Sequence, residues 1–105
     1  MQKYLLIYHG KPDLQNPEDG AKHMDAWKAW NAGLGDAVVD PGLPIGPSKT
    51  ITANGVEDNG GANPASGMTV LQAASIDEAI ALAKDCPHLS GTGTIEIAEA
   101  MDLVM

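Results

Sequence analysis

The chain has 105 residues, room for one domain, and an apolar fraction of 44%, which is ordinary for a globular protein. Its formal charge of −8, with no Lys/Arg cluster to offset it locally, argues against nucleic acid and anionic membrane surfaces as partners. The single cysteine, Cys86, excludes an internal disulfide, and no apolar run approaches a signal h-region or a membrane span, so a cytoplasmic protein is expected.

The first expected element is a strand over residues 2–9, stopped by Gly10-Lys11-Pro12. Tyr4, Leu6 and Tyr8 point to one face of it and Leu5 and Ile7 to the other, so both faces are apolar. A helix follows, with Asn16 as N-cap, Pro17 at the first helical position and Glu18 and Asp19 in the first turn. It is expected to run to Ala32, with Gly33 closing it in the left-handed conformation and Leu34 supplying an apolar contact. Gly20, His23, Trp27, Trp30 and Leu34 share one helix face.

Residues 36–54 read as two short strands, Asp36–Asp40 and Ser48–Ala53, on either side of a Pro/Gly turn. A Gly/Asn-rich loop leads on to Gly67, and Met68–Ala74 reads as a further strand. The second helix opens on Ser75-Ile76-Asp77-Glu78, a capping box, and carries Ile76, Ala79, Ile80 and Ala83 as its apolar stripe up to Pro87. Thr94–Ala98 is the last strand, and the apolar tail Met101–Met105 is expected to dock on the sheet or on a partner subunit.

The order β-α-β-β-β-α-β reduces to βαββαβ when the segment before Pro41 is taken as an edge. Split βαβ units of this kind give one antiparallel sheet with both helices on one face, an α+β, ferredoxin-like domain spanning residues 1–105. Two helices cover one side only. A second copy over the open sheet face, making a homodimer, is the economical way to bury the other.

Five stretches, in order, resemble the YCII-related (DGPF-domain) family: Tyr4-Leu5-Leu6-Ile7-Tyr8, Gly46-Pro47, Ser75-Ile76-Asp77-Glu78-Ala79, Cys86-Pro87-His88 and Gly93-Thr94-Ile95-Glu96-Ile97. The resemblance implies a dimeric α+β barrel with a pocket bordered by the first helix. Some relatives act as dehydrochlorinases on lactones of aromatic degradation, and others are fused to regulatory proteins. Where the family's signature reads Asp-Gly-Pro-Phe, this chain has Ile45-Gly46-Pro47-Ser48, without the acid or the aromatic, and its loop at Asn59-Gly60-Gly61-Ala62-Asn63 is longer.

His23, one turn before Trp27, is the candidate proton-transfer group at such a pocket. A backbone-bonded or part-exposed histidine is the plain alternative. Asp25 lies about 200° round the helix from it, so Asp40, at a strand end, is the candidate to orient the ring, or else it bonds its own turn. Tyr8, His9, Trp27 and Ser48 are the candidate ligand contacts, set against plain readings as core, edge and loop. His88 reads as a loop residue and Cys86 as a core thiol. The histidine spacings match no metal motif, and residues 46–50 lack the glycine a phosphate loop needs before its lysine, so neither metal nor cofactor is expected.

Two function classes follow. One is an isomerase or a dehydrochlorinase-like lyase in which His23 moves a proton on a small organic acid or lactone. The other is a non-catalytic metabolite-binding or regulatory dimer built on the same pocket.

Overall fold

A computed structural model describes residues 1–11 and 16–101. Pro12 and residues 102–105, expected to stop the first strand and to dock, lie outside the described residues. The elements are β1 (Gln2–His9), α1 (Pro17–Leu34), β2 (Val38–Asp40), β3 (Thr50–Thr52), β4 (Gly55–Glu57), β5 (Ala65–Ala73), α2 (Ile76–Ala83) and β6 (Thr94–Glu99). β2, β5, β1 and β6 form one antiparallel sheet in that order, so the chain is an α+β domain. Neither helix is long and apolar enough to cross a membrane.

Local chemistry accounts for the helix starts. The Asn16 side chain accepts the Asp19 N–H at 3.0 Å, and Pro17 occupies the first turn, where no N–H is needed. α1 runs two residues past the expected stop, and Gly35 rather than Gly33 takes a positive φ of 56°. Leu34 packs on the core beside Trp27 and Trp30, and that burial holds the extra half-turn in place. At α2, Ser75 Oγ accepts the Glu78 N–H, while the Glu78 carboxylate reaches the Ala74 N–H instead of the N-cap's own.

Alternation along β1 sorts its side chains as the pleat requires. Tyr4, Leu6 and Tyr8 are buried with Leu71 and Ala73 of β5 beneath Trp30, Ala79 and Ala83, so both helices pack on that face. On the opposite face Leu5 pairs with Val70 and Ile7 with Met68, all four half-buried. The accessible surface is 7275 Å², against roughly 5,600 Å² for a compact chain of this size. Likewise the radius of gyration, 15.1 Å, exceeds the roughly 13 Å of a compact domain this long.

One expectation needs correcting. Ser48–Ala53 is not a strand of the main sheet: its central residues, Thr50–Thr52, pair only with Gly55–Glu57, as a separate hairpin. The segment before Pro41 takes the edge position instead, because Val38 carries the apolar side chain that packs on the core. The Gly/Asn-rich stretch thus holds the second hairpin strand, and β5 begins at Ala65.

Beyond β2 the chain stays attached to β5. Thr69 is fully buried; its Oγ1 accepts the Tyr8 hydroxyl at 2.6 Å and donates to the Pro41 carbonyl at 3.0 Å. Gly42 sits at φ 73°, its N–H held by Asp40 Oδ1 at 2.8 Å, so close to β5 that a Cβ would overlap the Met68 carbonyl. Pro44 then bridges Gly67, and the Ile45 N–H donates to Ser66 at 3.0 Å.

Two substitutions test this attachment in urea titrations. Gly42→Ala combines a strained φ with a backbone overlap and is expected to cost about 2–4 kcal/mol. Thr69→Val keeps the shape but strands the Tyr8 hydroxyl and is expected to cost roughly 1–3 kcal/mol. Unchanged midpoints in both variants would show that residues 41–45 are not pinned.

Candidate functional site

Pinning residues 41–45 to β5 while α1 crosses the same end of the sheet leaves a cavity of about 790 Å³ between them. That volume suits a small organic ligand. Tyr8, Met24, Trp27, Leu43, Pro44 and Ile45 give the wall its apolar body. Polar groups come from Lys11, His23, Lys28, Asn31, Ser66 and His88. Among the described residues, no Asp or Glu lines it.

The aromatic side chains fix one another edge to face. Trp27 stands at 84° to both Tyr8 and Trp30, with ring centroids 5.3 and 5.4 Å away. The Trp30 indole donates to the Leu82 carbonyl at 3.1 Å, tying α1 to α2. Burial pushes the Tyr8 phenol well above its ordinary pKa, so it keeps its proton and serves as the donor to Thr69.

His23 accepts the Trp27 indole N–H at Nε2, 2.8 Å away. Indole nitrogen only donates, so Nε2 carries no proton and Nδ1 holds it. Burial, and then the charge of nearby His88, hold the His23 pKa below its ordinary value near 6.5. The indole bond acts in the same direction, since it needs the lone pair free of a proton. At pH 7 the ring is therefore neutral and carries one N–H.

His88, expected as a loop residue, is buried, and it donates from Nε2 to the His9 carbonyl at 2.7 Å. Gly93 makes room for it, because a Cβ there would overlap His88. Its ring lies 5.1 Å from that of Tyr8, at the cavity wall. Cys86 is buried and its thiol pKa is raised by that burial, which leaves it inert in the core.

The other sequence candidates stand apart from the cavity. Asp40 spends its carboxylate on the Gly42 N–H, and no hydrogen bond among the described residues joins it to His23. Ser48 packs against Gly60 at the base of the hairpin. His9 lies on the open face of the sheet, where Nε2 meets Glu96 Oε1 at 2.9 Å and Nδ1 meets the Pro64 carbonyl at 3.3 Å. The Glu96 carboxylate raises the His9 pKa against the opposing effect of burial.

Sequence reasoning missed Lys11, Lys28 and His88. The first two carry no motif; the third stands in the Cys86-Pro87-His88 stretch but looks like any residue after a helix end. Two buried side-chain oxygens, Asn31 Oδ1 and Ser66 Oγ, have no hydrogen-bond partner among the described residues, and both residues belong to the cavity wall. Among the described residues, no group of three His, Cys, Asp or Glu side chains is placed to hold a metal ion. No family model matches the chain, and no curated protein matches it.

The two histidines titrate in opposite directions from 6.5. By NMR, His23 is expected to have its midpoint below that value and His9 above it. His23 therefore stabilises the fold above pH 6.5, an effect lost as pH falls through its lowered midpoint. His9 stabilises it below pH 6.5, an effect lost as pH rises through its raised one. Glu96→Gln is expected to bring the His9 midpoint down. A midpoint that stays put would remove the ion pair from the account.

Proposed function

We propose that this chain binds a small organic acid in the cavity beneath α1, as a ferredoxin-like domain paired with a second copy through its open sheet face. One observation carries the ligand reading: the charge of the cavity wall. The chain has 14 acidic residues against 6 lysines and no arginine, yet Lys11 and Lys28 line the cavity with no carboxylate among the described residues. Neither lysine has an ion-pair partner among the described residues. An anionic head group would meet the ammonium groups, and an apolar or flat body would meet Trp27, Tyr8 and Leu43.

His23 supports binding more directly than proton abstraction. Its Nδ1–H is an available donor, whereas its lone pair at Nε2 is engaged by Trp27. Asn31 and Ser66 add to this. Leaving a buried polar atom unpaired costs about 1–3 kcal/mol, so a small side-chain rotation onto a ligand would recover that penalty. These side chains support metabolite binding without turnover better than they support catalysis.

Proton transfer of the isomerase or lyase kind is the second reading. Its support is the lowered pKa of His23, which keeps the ring in the neutral form at pH 7. Either the indole bond opens to free Nε2, or the neutral ring polarises a carbonyl through Nδ1–H. With Asp40 committed to its own turn, no carboxylate among the described residues is hydrogen-bonded to that ring.

Pairing is supported by the four half-buried apolar side chains of the open face and by the large accessible surface. Membership of the YCII-related family rests on the five short stretches alone and would bring the barrel-like dimer with it.

Trp27 at the wall supplies a fluorescence signal for the test. Phenylacetate is expected to quench it with an affinity at least about tenfold above that of phenylacetamide, and Lys28→Gln is expected to narrow the gap. Equal affinities would remove the acid specificity but keep the cavity as a site. Binding of neither probe, nor of any member of a panel of small organic acids, would sink the ligand reading.

A further inference from the structure

We propose that the β3–β4 hairpin is a dimer arm, which packs its Ile51–Val56 face onto a second copy of this chain; the inference rests on the pairing reading above. The hairpin is built to project. Its two strands pair only with each other, and Ile51 stands directly opposite Val56. Those two side chains are 81% and 65% exposed. A β-branched pair placed side by side in water is a surface waiting for contact, because an isolated two-stranded hairpin is marginally stable without something to lie against.

The base of the hairpin is braced, although its tip is bare. Gly60 packs on Ser48, Lys49 pairs with Asp58, and the Thr50 hydroxyl donates to the Asn59 carbonyl at 2.7 Å. These contacts close the hairpin's own base without burying its apolar face. The returning limb enters β5 beside His9, whose Nδ1 lies 3.3 Å from the Pro64 carbonyl. His9 shares the open side of the sheet with Glu96 and Ile7, so the arm rises next to the face that a partner would cover.

The area fits a second copy. The surface excess of about 1,700 Å² per chain, counted on two chains, falls within the 2,000–5,000 Å² typical of obligate homodimers. The four open-face side chains are already half-buried, whereas the arm adds two, Ile51 and Val56, that are mostly exposed.

Sedimentation velocity across a concentration series tests the inference on wild type and on the double variant Ile51→Thr/Val56→Thr. Wild type is expected to be dimeric at micromolar concentration, and the variant is expected to weaken dimerisation by about thirtyfold or more. A monomeric wild type overturns the pairing reading and the arm with it. A dimeric wild type whose variant dimerises equally well overturns the arm alone. Hydrogen exchange on wild type covers a variant that fails to fold: amides 50–57 are expected to be protected above the dissociation constant and to exchange fast below it. Equal exchange at both concentrations overturns the arm.

Discussion

Everything at the cavity depends on how residues 41–45 are attached to β5. That attachment fixes where Leu43, Pro44 and Ile45 stand in the wall they share with Trp27. A buried hydroxyl and a glycine hold them there. Thr69 links β1, β5 and Pro41 through two hydrogen bonds, each worth about 1 kcal/mol net but costly to leave half-made. Gly42 allows a backbone approach that no side chain could share. Asp40, a candidate for catalysis by sequence, works instead as the turn residue that fixes the Gly42 N–H.

Three histidines with similar sequence credentials are separated by their environments. His88 is a buried donor to a backbone carbonyl and belongs to the wall's framework. His9 is drawn towards its charged form by Glu96 on the open face. His23 is driven towards its neutral form by burial and by His88. Only His23 combines a place on the cavity wall with an N–H that the described residues leave uncommitted. The two lysines then supply the positive charge that a neutral imidazole does not.

How much the sequence disclosed follows from the range of each signal. Caps are local, so Asn16, Pro17 and Ser75 were readable to the residue. Strand alternation is also local, and the division of β1 into Tyr4, Leu6 and Tyr8 against Leu5 and Ile7 could be read directly. Helix length was misjudged because Gly33 and Gly35 are equivalent to a cap rule, and the choice between them is made by Leu34 packing on a core assembled from distant strands. Sheet membership failed for the same reason. Nothing within Ser48–Ala53 says whether it joins β5 or folds back on Gly55–Glu57. Cavity residues suffered most: Lys11 follows β1 and Lys28 lies within α1, and only the fold places them on one wall.

The alternation of β1 also links the two proposals physically. Tyr8 lies in the cavity wall while Ile7, its neighbour, lies on the open face against Met68 of β5, and the Tyr8–Thr69 hydrogen bond joins the same two strands. A second copy seated on Leu5, Ile7, Met68 and Val70 would therefore press on the strands that hold the cavity's hydroxyl relay. Packed sheets transmit such contacts because side chains on adjacent positions share one stiff backbone. Pairing and binding would then be coupled through β1 and β5, with each chain's cavity firmest when the opposite face of its sheet is covered. Any such coupling would be reciprocal: whatever a covered face added to ligand affinity, a bound ligand would add to the affinity between copies.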